Sequence, residues 1–179
     1  NPHSVVGVVH TPLMAPRSVV HVSGAGPTGS MTALALASRG HRIILHDPQS
    51  AARLQSRSRA YAITHSSRRL LERLGLWSSL KPSLTGFKTL ELRDDASSGR
   101  VRFSGADLAS ANSDQDSIGW ILDHRPLMRL LLQQLHNHAA VSLYLGSPPP
   151  PAPAEALVVA ADGPASPTRR RWRIPVWQH

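Results

Sequence analysis

Three glycines and one acid are the residues of this chain whose types and spacing point most directly to chemistry. Gly24-Ala25-Gly26-Pro27-Thr28-Gly29 carries the GxGxxG spacing, and Asp47 lies 21 residues beyond Gly26. In a dinucleotide-binding turn the first glycine permits a tight exit from a strand. The second lets a diphosphate approach the backbone, and the third lets the following helix pack close to the strand. The unpaired N–H groups and the dipole of that helix then favour the anionic diphosphate. An acid about 20 residues past the glycines accepts hydrogen bonds from a ribose 2′-OH, which favours FAD or NAD over NADP. Such a glycine run is weak evidence by itself; what matters is whether strand, helix and strand surround it.

They do. Ser18–Ser23 is short and β-branched, as a buried strand requires. Met31–Arg39 is rich in Ala and Leu and reads as a helix stopped by Gly40. Arg42–His46 is a second strand ending at Asp47-Pro48, which completes a βαβ unit. Further on, 51–59 reads as a basic surface loop. Thr64–Leu76 reads as an amphipathic helix starting near Thr64 or Ser66, with Leu70, Leu71 and Leu74 on one face. Phe87–Arg93 and Arg100–Ser104, joined by turn-forming residues 94–99, predict a hairpin. The polar run 109–117 reads as a loop and Trp120–Leu122 as a short strand. Pro126–His138 predicts a helix with Leu127, Leu130, Leu131 and Leu135 inward. Val141–Leu145 and Ala156–Ala161 are further strands, joined by a stiff polyproline excursion at 148–151. The fold class expected is α/β: a Rossmann-like dinucleotide-binding domain with a parallel sheet and a small inserted antiparallel hairpin at about 87–104. Residues 1–17 read as a loose leader.

Composition narrows the alternatives. The 179 residues carry no cysteine, which excludes disulfide frameworks, thiol catalysis and cysteine-ligated metals. The net charge of +9 raises the possibility of nucleic-acid binding. The arginines are scattered, however, and among only eight aromatic residues Trp172 alone lies in the cluster 169–173, so no nucleic-acid partner is expected. His136 and His138 are two apart and point to different helix faces, and no metal site is expected. No catalytic acid, base or nucleophile is legible.

Four segments, in order, resemble the ubiquinone-biosynthesis hydroxylases among the group A FAD-dependent aromatic monooxygenases. The Gly24–Gly29 loop, with proline after the second glycine, resembles their flavin fingerprint. The stretch 59–64 with 70–77 resembles the segment after their second strand, and 119–127 the strand-to-helix segment beside the flavin. Asp162-Gly163-Pro164-Ala165-Ser166-Pro167-Thr168-Arg169 resembles their Asp-Gly-x-x-Ser-x-x-Arg motif. The resemblance implies an enzyme that holds FAD, reduces it with NAD(P)H and uses O2 to hydroxylate an aromatic small molecule, with the flavin carrying the chemistry. It implies that Gly24, Gly26, Gly29 and Asp47 bind the ADP half of FAD. Arg59 would lie over the flavin side and Arg125 near the pyrophosphate or ribityl chain, with Asp162 and Gly163 in the region shared with NAD(P)H. A prenylated phenol of the quinone pathway is the substrate it suggests. The expected location is cytoplasmic; the charge and such a substrate suit a peripheral membrane contact, although no amphipathic anchor is visible. The family's later Gly-Asp motif, substrate-covering sheet and C-terminal helix are not in this sequence, so the resemblance is to an N-terminal part: it implies a Rossmann-like FAD-binding domain over 18–168, the start of a missing C-terminal half at 169–179 and a truncated substrate domain. The readings left beside it are another FAD or NAD oxidoreductase and a truncated, non-catalytic nucleotide-binding remnant.

Overall fold

The first strand, β1 (Val19–Ser23), is apolar at consecutive positions and is buried on both faces, with Val20 and Val22 fully enclosed. A computed structural model describes residues 18–107 and 117–177. From β1 the chain turns through the glycine loop into α1 (Pro27–Ala37), which starts at Pro27, four residues before the expected start, because proline suits a first helical turn. It then enters β2 (Arg42–Asp47), parallel to β1 with Val19 opposite Arg42. Strand β8 (Val141–Leu145) lies parallel on the outer side of β2, and β9 (Leu157–Ala160) on the other side of β1. The sheet order β8-β2-β1-β9 reverses direction between β1 and β9. In an open α/β sheet the carboxyl ends at such a reversal form the ligand crevice.

The stretch 51–59 is not wholly a loop. Residues 51–55 form a short helix, α2 (Ala51–Gln55), capped by Ser50, whose hydroxyl accepts from the Arg53 amide at 3.3 Å. A single inward leucine, Leu54, anchors it, and one apolar residue is too little for periodicity to reveal. Strand β3 (Ala60–Ile63) follows, then α3 (His65–Arg73) and α4 (Trp77–Leu80). Thr64 caps α3, accepting from the Ser67 amide at 3.3 Å. Leu71 is buried, whereas Leu70 is exposed: about 100° apart on the helix, the two point in different directions and only Leu71 meets the core. Arg68 lies over both Trp77 and Trp120, at 5.2 and 5.3 Å from the ring centres, and pairs with Glu72 at 2.7 Å.

Strand β4 (Leu84–Phe87) precedes the hairpin of β5 (Thr89–Arg93) and β6 (Arg100–Ser104), with Thr89 opposite Ser104. In its turn Asp94 accepts from the Ser97 hydroxyl and the Ala96 amide, which holds its carboxyl below the ordinary range. The reading of 109–117 lies almost wholly outside the described residues, as does that of 1–17. Strand β7 (Gly119–Asp123) pairs antiparallel with both β3 and β4, making a separate three-stranded sheet in the order β3-β7-β4. Helix α5 (His124–Asn137) buries Leu127, Leu131 and Leu135 as expected, with Pro126 in its first turn, and packs against α1 and α2. The last element, α6 (Pro167–Arg171), runs across the point at 168–169 where the basic tail was expected to begin.

Candidate functional site

The carboxyl ends of β1, β2 and β9 open into a groove of about 950 Å³. Each glycine of the loop meets a different constraint there. Gly24 has φ +101°, and a Cβ on it would meet the Ala161 carbonyl oxygen at 2.3 Å. A Cβ on Gly29 would meet the Gly24 carbonyl oxygen at 1.8 Å, so α1 approaches the strand as only glycine allows. At Gly26 a Cβ would meet nothing within 4 Å, and this residue lines the groove. Two glycines are thus required by packing and the third faces open space. No side chain of Gly26 caps α1, which leaves the helix's positive end toward the groove. These features fit a diphosphate.

Asp47, only 7% exposed, ends β2 at the groove wall. One carboxylate oxygen accepts from the Ala25 amide at 2.9 Å and the other from the Gln49 amide at 2.9 Å. Each oxygen keeps a further lone pair. Asp47 therefore ties the glycine loop to the end of β2 and still offers acceptors to a ribose.

Arg59 reaches the groove from the stretch entering β3, beside Arg57 and Tyr61. Asp162 and Gly163 close it from the end of β9, Gly163 with φ +89°. Burial alone would raise the Asp162 carboxyl. Hydrogen bonds from the Ser166 hydroxyl and from Thr168, whose amide donates at 2.9 Å, outweigh it and hold the group below its ordinary value. Ser166 in turn accepts from the Arg169 amide at 3.0 Å, capping α6. The spacing of Asp162, Ser166 and Arg169 thus has a local structural use: it builds a helix start.

The structure brings together Gly26, Asp47, Arg59, Asp162 and Gly163, with Gly24 and Gly29 forming the loop behind them. Arg125 is exposed at the start of α5 and does not line the groove. Sequence reasoning missed Arg57, Tyr61, Gln49, Thr28 and Arg171 as groove residues. Tyr61 had a usable signal: two residues beyond Arg59 in an extended segment, it shares that residue's face. Arg171 had none, because only the α6 turn aims it inward. Among the described residues no cluster of acids and histidines could hold a metal ion, and no helix is long and apolar enough to cross a membrane.

Residues 17–117 match the family described as the FAD binding domain. This chain belongs to that family. An uncharacterized protein of Synechocystis is 27% identical to this FAD-binding domain over 118 residues, covering 66% of this chain and 26% of that protein. Two solved structures share its fold. The probable FAD-dependent monooxygenase PqsL of Pseudomonas aeruginosa has a TM-score of 0.66 at 22% identity, covering 90% of this chain and 47% of that one. The flavin-dependent monooxygenase PieE, solved in complex with FAD and substrate, has a TM-score of 0.67 at 16% identity, covering 92% and 34%. The FAD-binding domain thus spans about half of the one and a third of the other.

Proposed function

We propose that this chain holds FAD for the hydroxylation of an aromatic ring, as the N-terminal part of a larger monooxygenase reduced by NAD(P)H. The observation that carries the reading is the glycine loop: the position where a diphosphate must approach is the one glycine that faces the open groove. Gly26 and the start of α1 would receive the diphosphate, Asp47 the ribose, and Arg59 would supply positive charge along the same wall. When bound, FAD supplies the redox and oxygen chemistry. This chain binds and orients it; its own residues include no group that we assign as a catalytic acid or base. The fold shared with PqsL and PieE supports a monooxygenase over other flavin or nicotinamide oxidoreductases. A prenylated phenol of quinone biosynthesis is the substrate suggested by the sequence resemblance at 59–77 and 119–127.

A visible spectrum of the purified chain after incubation with FAD and desalting tests the reading. A retained flavin band that is lost in Gly26→Ala is expected. Gly26 is the residue to change, because the carboxylate of Asp47 also holds the loop through the Ala25 amide. A folded chain that retains no flavin would overturn the proposal. A second reading, a domain that binds FAD without turning over substrate, is favoured by the apolar face of the β5–β6 hairpin, which this chain leaves uncovered. Stoichiometric FAD binding with no NAD(P)H-dependent bleaching of the flavin would select it.

A further inference from the structure

His124 is buried, with 2% exposure, at the junction of β7 and α5, and its amide and both ring nitrogens are engaged with the groove wall or α2. Its amide donates to the Arg59 carbonyl at 2.8 Å. Its Nε2 lies 2.7 Å from the Leu54 carbonyl oxygen, and its Nδ1 lies 2.7 Å from the Tyr61 hydroxyl. A carbonyl only accepts, so Nε2 carries the ring proton. With one proton on the ring, Nδ1 accepts and Tyr61 donates. The Tyr61 hydroxyl is thus turned inward to the histidine, while the tyrosine lines the groove. What it can offer there is its ring rather than its hydroxyl.

We propose that Tyr61 packs its ring against the flavin half of FAD and that His124 is the positioning residue that holds it there. The inference rests on the FAD reading given above. The direction along the groove comes from Arg57, whose guanidinium donates to Gln49 at 3.4 Å, next to the ribose-facing Asp47. Tyr61 is four residues further on, up to about 14 Å along an extended chain, and belongs to the other sheet. A dinucleotide fixed at Asp47 and Gly26 reaches that distance with its second half, not with its ADP half. One residue then holds two groove residues: Arg59 through the His124 backbone amide and Tyr61 through its imidazole.

The test compares the affinity of the full chain for FAD with its affinity for ADP. Tyr61→Phe and His124→Gln are each expected to weaken FAD binding about five-fold, the worth of one hydrogen bond, and to leave ADP binding unchanged. His124→Asn places its amide oxygen where Nδ1 stands and can still accept from Tyr61, whereas the longer Gln places its amide near Nε2 and Leu54, so the Asn variant is expected to lie closer to the parent. The double variant Tyr61→Phe/His124→Gln is expected to be no worse than either single change, because both break one contact. Equal weakening of FAD and ADP would mean a general structural role and would overturn the proposal, as would FAD affinity unchanged in Tyr61→Phe. If the histidine variants fail to fold, Tyr61→Phe decides alone, since it keeps the ring and removes only the hydroxyl. A parent chain that binds ADP but not FAD would defeat the flavin reading together with this one; a parent that binds FAD with no effect of Tyr61→Phe defeats this one only.

Discussion

The glycine loop and the β5–β6 hairpin lie at opposite extremes of packing in this chain. At the loop, backbone meets backbone: Gly24 and Gly29 have no room for a Cβ, and the loop is tied to β2 by Asp47 and by the Gly24 amide, which donates to the His46 carbonyl at 2.8 Å. The hairpin has a regular register but, among the described residues, no partner layer. Leu90 pairs with Phe103 and Leu92 with Val101, and these four side chains are 41–53% exposed. The loop's conformation is over-determined by its own surroundings, so a ligand can be bound there without rearrangement. The hairpin's face is an apolar surface of the kind that marks an interaction site.

Four outcomes would break or sharpen that contrast. The largest concerns stability at the loop: Gly29→Ala drives a methyl into the Gly24 carbonyl, so a loss of about 3 kcal/mol or more is expected, measured by urea unfolding. A variant with the parent's midpoint would show that the loop can yield. Next, Gly26→Ala should unfold with the parent's midpoint while its FAD affinity falls at least about ten-fold, because a methyl there obstructs only the ligand; titration calorimetry measures both ADP and FAD. If Gly26→Ala instead unfolds as easily as Gly29→Ala, the division between packing and ligand glycines is wrong.

A smaller effect is expected at Asp162. Its folded pKa is lowered, so its stabilisation is complete above the unfolded value of about 3.9 and is lost as pH falls through the lowered folded value. Unfolding midpoints of the parent should therefore drop in acid more steeply than those of Asp162→Asn. Parallel pH profiles for the two would contradict this assignment. The smallest effect is expected at the hairpin: Leu92→Thr with Val101→Thr should change stability by less than about 0.5 kcal/mol, since neither side chain is buried, and should raise the protein concentration at which light scattering appears. A large stability loss would mean that the ribbon's apolar face is covered in solution.

Local pattern carried far into this molecule. The βαβ unit, the hairpin and the leucine face of α5 are each written in consecutive residues, since the periods of strand and helix and the special backbone of glycine act within a dozen positions. The acid at Asp47 was legible for the same reason, being fixed by the length of one helix and one strand. Where a single residue did the anchoring, as Leu54 does for α2, no period existed to be read. Asp162 shows a different limit: its motif was visible, but the use of its carboxylate in capping α6 depends on where Ser166 and Thr168 point.

By itself the sequence determined the strand–glycine–helix–strand order and the acid that closes it, because these follow from local conformational preference and spacing. Only the tertiary structure decided that Arg125 lies outside the ligand groove and that Tyr61 enters it from the second sheet, held by a histidine 63 residues away. Those facts depend on how the two sheets pack across α5. Packing is set by the sum of many buried contacts between distant segments, and no single stretch of sequence contains that sum.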